Sequence, residues 1–227
     1  MDVLYTVFDR GRDGDNGDLR ISLRSLAKYA VNIDNVIVAG KPPEWLSDSV
    51  MKVRIPPLAV RGYRYDTMMD GIVKAITMGA VSGEFLYAAS DAVISSVTDM
   101  NEFPYLCRRE KIMSVEDHVR NCKGGAVITR HKVALSDTRR LLERNRYDAI
   151  DFSGHFITRM DTKDLDEAVR LWLDDPHGEF GYDAPSLFSN IMMSRIRKDV
   201  MVVDTAKIDG EMVRMASELT EKCIFEV

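Results

Sequence analysis

What this 227-residue chain has little of narrows its class before any motif is considered. It has three cysteines, Cys107, Cys122 and Cys223, odd in number and widely spaced. That suits free thiols in a reducing compartment and excludes a disulfide framework. No CxxC occurs, and the four histidines keep no ligand spacing with the cysteines, so a structural zinc site is excluded. No apolar run approaches the roughly 20 residues that span a bilayer. The opening MDVLYTVFDRGRDGD lacks a basic region followed by a long apolar stretch. A cytoplasmic protein with no membrane span is expected. A basic excess is missing too: 31 Lys and Arg stand against 36 Asp and Glu, a net charge of −5. Proteins held on nucleic acid by phosphate contacts carry the opposite balance. There is no GxSxG, which leaves serine-hydrolase chemistry without support. Internal repeats, low-complexity tracts and recognisable linkers are also lacking.

What is present is a globular composition, 45% hydrophobic and 30% charged. Val3–Phe8 is a short apolar run rich in β-branched and aromatic residues, the signature of a buried strand. It ends at a polar loop, Asp9-Arg-Gly-Arg-Asp-Gly-Asp-Asn-Gly-Asp18, and Leu19, Leu23, Leu26 and Ala30 then recur at helical spacing. Asn35–Gly40 and Met51–Ile55 read as further strands, separated by Pro42 and Pro43. A second helix is predicted from about Asp66 to Met78, and Glu84–Ala88 as a fourth strand running into Ser90-Asp91. The alternation predicts an α/β fold: a mostly parallel sheet with helices on both faces and ligands outside the carboxyl ends of the strands. The second half is less regular. Helices are expected at 135–142, 165–173 and 186–196, a late strand at 199–204 and a terminal helix after it, with 152–155 on a short connection.

The Asp9–Asp18 loop is the most unusual segment. Its glycines, 11, 14 and 17, are spaced by three, which is not the dinucleotide GxGxxG. An EF-hand would need Asp or Asn at 17, Gly at 18 and Glu at 24, where this chain has Gly17, Asp18 and Arg24. Two readings stay open: a solvated turn, or a cradle in which backbone amides and a helix N-terminus receive a diphosphate, with Arg10, Arg12 and Arg20 supplying charge. Asp91, at the end of an apolar strand, either caps a turn or binds a divalent ion. His155 is either a structural histidine or a ligand. Asp99 is the next acid along the chain.

Several of these segments resemble the stealth-type capsular polysaccharide transferases and small glycosyltransferase-like proteins of bacteria and tailed phages. The carriers are Val3-Leu-Tyr-Thr-Val7, Leu19-Arg-Ile-Ser-Leu-Arg-Ser-Leu26, Val36-Ile-Val with Pro43-Glu-Trp-Leu46, Tyr65-Asp-Thr-Met-Met-Asp70, Phe85–Asp91, Ser153-Gly-His155 and Ser186–Asn190. The resemblance implies a GT-A-like, Rossmann-type fold in one domain over 1–227. A donor-binding half would cover about 1–100 and an acceptor and metal half about 101–227. It implies a nucleotide-sugar donor touched by Thr6, Asp9, Arg10, Arg12, Arg20 and Asp66. Mn²⁺ or Mg²⁺ would be held by Asp91, with His155 as a further ligand. Asp151 and Asp183, near the matched segments, are the candidate bases. The pattern departs from the family where Ser90 replaces one acid of a pair, Phe156-Ile157 replaces x-Pro, and Pro185 stands in place of arginine.

The function implied is transfer of a sugar to a hydroxyl acceptor: a glycan, a protein or a hydroxymethylated base of phage DNA. The alternatives are sugar-phosphate transfer, as in the capsular group, and a non-catalytic sugar-binding module on the same fold.

Overall fold

A computed structural model describes residues 1–8, 15–56, 64–108, 111–121, 127–154, 157–175, 180–196, 201–203, 219 and 223–227. Four parallel strands form most of the central sheet: β1 (Asp2–Val7), β3 (Val36–Gly40), β4 (Val50–Arg54) and β5 (Glu84–Ala88). A fifth, β8 (Ile157–Asp161), runs antiparallel beside β5, and the spatial order is β4-β3-β1-β5-β8. Two-residue strands β2 (Ala30–Val31) and β6 (Thr98–Asp99) pair with each other, as do β7 (Leu106–Arg108) and β9 (Met201–Val203).

Alternation along the strands sends side chains to two cores. Leu4, Ile37, Ala39, Val53, Phe85, Tyr87 and Met160 face α2 (Arg64–Thr77), α4 (Arg130–Arg144), α5 (Leu165–Asp174) and α6 (Ala184–Ile196). Val3, Tyr5, Val7, Val36, Val38 and Leu86 face α1 (Gly17–Tyr29). A short α3 (Val115–Asn121) buries none of its residues. The fold class is therefore the expected one: α/β, mostly parallel, with helices on both faces. Met69 lies in the core that faces α2 and α6, and Met192 is buried as well. Among the described residues no helix is long and apolar enough to cross a membrane.

The helices of the first half and α5 fall within two residues of expectation, and α4 and α6 begin where capping chemistry starts them. Thr129 caps α4 by accepting from the Lys132 N–H at 3.3 Å, which extends the predicted helix back to Arg130. α6 starts two residues earlier than predicted, with Pro185 in its first turn, where a missing N–H costs nothing.

The clearest correction is β8, which the sequence does not suggest. Ile-Thr-Arg-Met-Asp is fully buried although two of its five side chains are charged. Each charge is answered from elsewhere. Arg159 donates to Glu84 at 2.8 Å and to the Asn101 carbonyl at 2.8 Å. Asp161 accepts from Arg195 at 2.9 Å. Of the predicted late strand, Met201–Val203 lies in the described residues and pairs with β7. The predicted terminal helix falls mostly outside the described residues.

Candidate functional site

The strand order sets where a ligand would sit. From β1 the chain winds outward through β3 to β4, then returns to place β5 on the other side of β1. The direction of winding reverses between β1 and β5, and open α/β sheets bind ligands at the carboxyl ends of strands flanking such a reversal.

On the β1 side, Thr6 Oγ1 is hydrogen-bonded to Tyr87 Oη at 2.7 Å, tying the ends of β1 and β5 together. Gly71 of α2 lies directly over this pair. A Cβ there would meet Thr6 Cγ2 at 2.7 Å and the Phe8 ring at 3.2 Å. Gly40 ends β3 with φ at +108°, and a Cβ on it would run into the Val7 carbonyl oxygen and the Phe8 ring. Glycine at these two positions lets β3 and α2 close on the end of β1.

On the β5 side, Ala89-Ser-Asp-Ala92 is a turn closed by the Ala92 N–H on the Ala89 carbonyl at 3.0 Å, and Asp91 is its third residue. The turn is pinned to α1. Ser22 Oγ donates to the Ala92 carbonyl, so the Tyr5 hydroxyl, 3.0 Å from Ser22 Oγ, donates to the serine. Ser25 Oγ receives the Ile94 N–H at 3.1 Å. Burial pushes the Tyr5 hydroxyl far above its ordinary pKa, with the Ser22 bond opposing it, which keeps Tyr5 neutral as this chain requires.

The antiparallel β8 brings the second half to the same edge. Ala88 pairs with Ile157 and Glu84 with Asp161, so the chain entering β8 arrives where β5 leaves. α6 packs on β8 and runs the same way. Its far end is fixed by Arg195, which reaches Asp161 at 2.9 Å and Asp164 at 3.0 Å. Its N-terminus therefore lies at the carboxyl edge of the sheet. The connection 150–153 runs along α6 in the opposite sense. Asn190 clasps the Ile150 backbone with bonds of 3.0 and 2.8 Å, and Ser186 Oγ accepts from the Phe152 N–H at 3.2 Å.

Asp183 caps α6: Oδ1 accepts from the Ser186 N–H at 3.0 Å, while Oδ2 stands 3.7 Å from His131 Nε2. Its own N–H donates to Thr138 Oγ1 at 2.8 Å. Asp151 Oδ1 accepts from both the N–H and the Oγ of Ser153, at 2.8 and 2.6 Å. Both carboxylates are at least nine-tenths buried, yet sit on the segments that reach the carboxyl edge of the sheet.

Thr6, Asp91, Asp151 and Asp183 thus share one edge of the molecule. Asp99 does not. It lies in β6 beside β2, accepts from Asn32 Nδ2 at 2.9 Å, and is held below its ordinary pKa first by that bond. Asn32 in turn accepts from the Met1 ammonium, which marks the opposite, amino edge. Asp9, Arg10, Arg12 and His155 lie outside the described residues, and Asp66 is described only as part of the α2 backbone. Among the described residues no three His, Cys, Asp or Glu side chains group as a metal site.

Arg20 sits at the start of α1 in a web that sequence reasoning missed. It donates to Asp15 at 3.1 Å and to Glu226 at 3.0 Å, and stacks over Trp45 at 4.2 Å. Arg24 holds the same glutamate through two bonds, at 2.7 and 3.0 Å. The contributor from residue 226 carries no sequence signal, because its partners are some two hundred positions away.

No protein-family model matches the chain, and no curated protein matches it. Among solved structures it is similar to the glycosyltransferase GlyE of Streptococcus pneumoniae TIGR4, with a TM-score of 0.41 and 10% identity. The match covers 96% of this chain and 50% of that one, so the chain spans about half the length of that protein.

Proposed function

We propose that the chain is a glycosyltransferase that moves a sugar from a nucleotide-sugar donor to a hydroxyl acceptor. What supports this most is the shared edge: Thr6 and Asp91 on either side of the winding reversal, with Asp151 and the capped end of α6 beside them. The resemblance of the segments around Thr6, Leu19–Leu46 and Asp91 to the capsular transferase group points the same way. In this reading 1–100 forms the donor half and 101–227 the acceptor half.

The chemistry asked of the residues is modest. The acceptor hydroxyl loses its proton to a carboxylate as its oxygen bonds to the anomeric carbon. The bond from that carbon to the diphosphate breaks, and the nucleoside diphosphate leaves with the electron pair. Asp183 is the preferred base. One oxygen is fixed by the Ser186 N–H, and the other faces His131, whose ring is 38% exposed. Asp151 is the second candidate. Developing charge on the leaving group needs oriented donors, and the N-terminus of α1 together with Arg20 supplies them at this edge.

Asp91 and His155 are the proposed ligands of Mn²⁺ or Mg²⁺. A hard cation wants six or more oxygens, some from water and the donor. Asp91 alone among the described residues falls short of a ligand set, so no step above depends on the ion.

The deciding experiment is thermal stability across a panel of nucleotide sugars, with and without Mn²⁺, followed by turnover with hydroxyl acceptors. A donor at a hundred times its Kd adds about 2.7 kcal/mol. A shift with one donor, followed by sugar on the acceptor, supports the reading. Sugar phosphate on the acceptor supports the capsular-type reaction instead. Binding without turnover supports a non-catalytic module, and no shift with any donor overturns the reading.

A further inference from the structure

The described side chains outside the proposed chemistry include one carboxylate whose placement is unusual. Glu226 lies on the segment Cys223–Val227, and its side chain is fully buried between Arg20 and Arg24 of α1. Burial alone would raise its pKa, but the bonds from Arg24 and Arg20 outweigh that and hold it below its ordinary value, so it is charged. The segment is docked over its length. The Ser47 N–H donates to the Phe225 carbonyl at 3.0 Å, the Val227 N–H to the Trp45 carbonyl at 2.9 Å, and Ser47 and Ser49 hydroxyls both reach the Ile224 carbonyl. Phe225 is buried in the α1 core.

These bonds converge on Trp45 and Arg20. Trp45 has its backbone held by Val227, its ring covered by the Arg20 guanidinium, and its Nε1–H given to the Asp15 carbonyl at 3.0 Å. Arg20 is held by Glu226 on one nitrogen and Asp15 on another. Asp15 and Asn16 lead directly into the N-terminus of α1, at the carboxyl edge of β1. Without Glu226, two arginines one turn apart would repel each other, and Arg20 would keep the Asp15 carboxylate and the Trp45 ring but lose its buried anchor.

We propose that Glu226 is a positioning residue for the donor site: by fixing Arg20 against Trp45 and Asp15, it sets the entry to α1 where a donor diphosphate would be received. The proposal rests on the donor reading above, and its test separates the two. Glu226→Ala and Glu226→Gln are compared with wild type, at a temperature where all three are folded.

Without any donor, hydrogen exchange at the α1 amides Arg20–Arg24 and at the Ser47 amide should quicken about tenfold in Glu226→Ala, with β1 and β5 unmoved. Gln, which keeps the size but not the charge, should fall between. Unchanged exchange at those amides overturns the clamp. With donor and acceptor, Glu226→Ala should raise the donor KM about tenfold and also lower kcat several-fold, because Arg20 acts on the leaving diphosphate as well as on the bound donor. Faster exchange with an unmoved donor KM overturns the positioning role and leaves a purely structural one. A wild-type protein that binds no donor overturns the functional reading, and the donor half of this proposal with it, while the exchange experiment still decides the clamp.

Discussion

Asparagine in place of Asp183 keeps an oxygen that can accept the Ser186 N–H but removes the charge that would take a proton. Asn is as good a helix cap as Asp, whereas Ala forfeits about 1 kcal/mol. If Asp183 is the base, Asp183→Asn should retain the thermal midpoint and lose about 10²–10⁴-fold in turnover, the usual worth of a positioned proton acceptor. Asp183→Ala should lose both. Equal turnover in wild type and Asp183→Asn would transfer the role to Asp151. For Asp91, the substitution Asp91→Asn keeps the size of the side chain and the backbone bond that closes its turn, and turnover should fall sharply while any stabilisation by Mn²⁺ with donor disappears. A Mn²⁺ titration of the variant by calorimetry checks it.

Among the elements, α2 and α6 make opposite demands on their residues. Alanine normally beats glycine inside a helix by about 1 kcal/mol. At position 71 the added methyl would press on Thr6 Cγ2, which cannot swing away because Thr6 is β-branched and bonded to Tyr87. Gly71→Ala should therefore lose about 1–3 kcal/mol by overpacking, read as a lowered urea midpoint at constant slope. At the other end of α6, Arg195→Ala would strand Asp161 and Asp164, both nearly buried. Because the arginine is 40% exposed, a loss of about 1–2 kcal/mol is expected, below the roughly 3–5 for a fully buried pair.

The elements also show where the sequence speaks and where it is silent. β1, β3 and β5 are read correctly because strands covered on both faces appear as short, nearly unbroken apolar runs. β4, half-exposed with Lys52 and Arg54 in it, is marked instead by its β-branched residues and the prolines that follow. β8 is missed because Arg159 and Asp161 break that pattern, and their partners Glu84, Asn101 and Arg195 lie far along the chain. Missing β8 hides the route that carries Asp151 and α6 to the edge shared with Asp91. The candidate acids could thus be named from the sequence, but not their common location. Glu226 could not be named at all.

At the scale of the whole molecule, the acid response should carry the imprint of Glu226. Its folded pKa lies below the ordinary value near 4.5, so the stability it contributes is fully present above that pH and is lost as the pH falls through the folded value. The difference in urea midpoint between wild type and Glu226→Gln should stay level from pH 7 to about pH 5 and close below. A gap that persisted unchanged in acid would mean that the pair contributes through shape rather than charge.

The bond between Arg24 and Glu226 joins positions 202 apart, and it has a consequence for the order in which the chain assembles. β1, β3, β4 and β5 are consecutive neighbours within the first ninety residues, so their sheet can form from comparatively local encounters. The 223–227 segment joins only through one very long closure, whose entropic cost is offset by contacts made at the end. Assembly should therefore pass through a form with a finished strand array on whose flank the Arg20 and Arg24 guanidinium groups still lack Glu226. Dissolved phosphate or sulfate would be drawn to such a form and should slow the last refolding phase, while leaving the early one untouched.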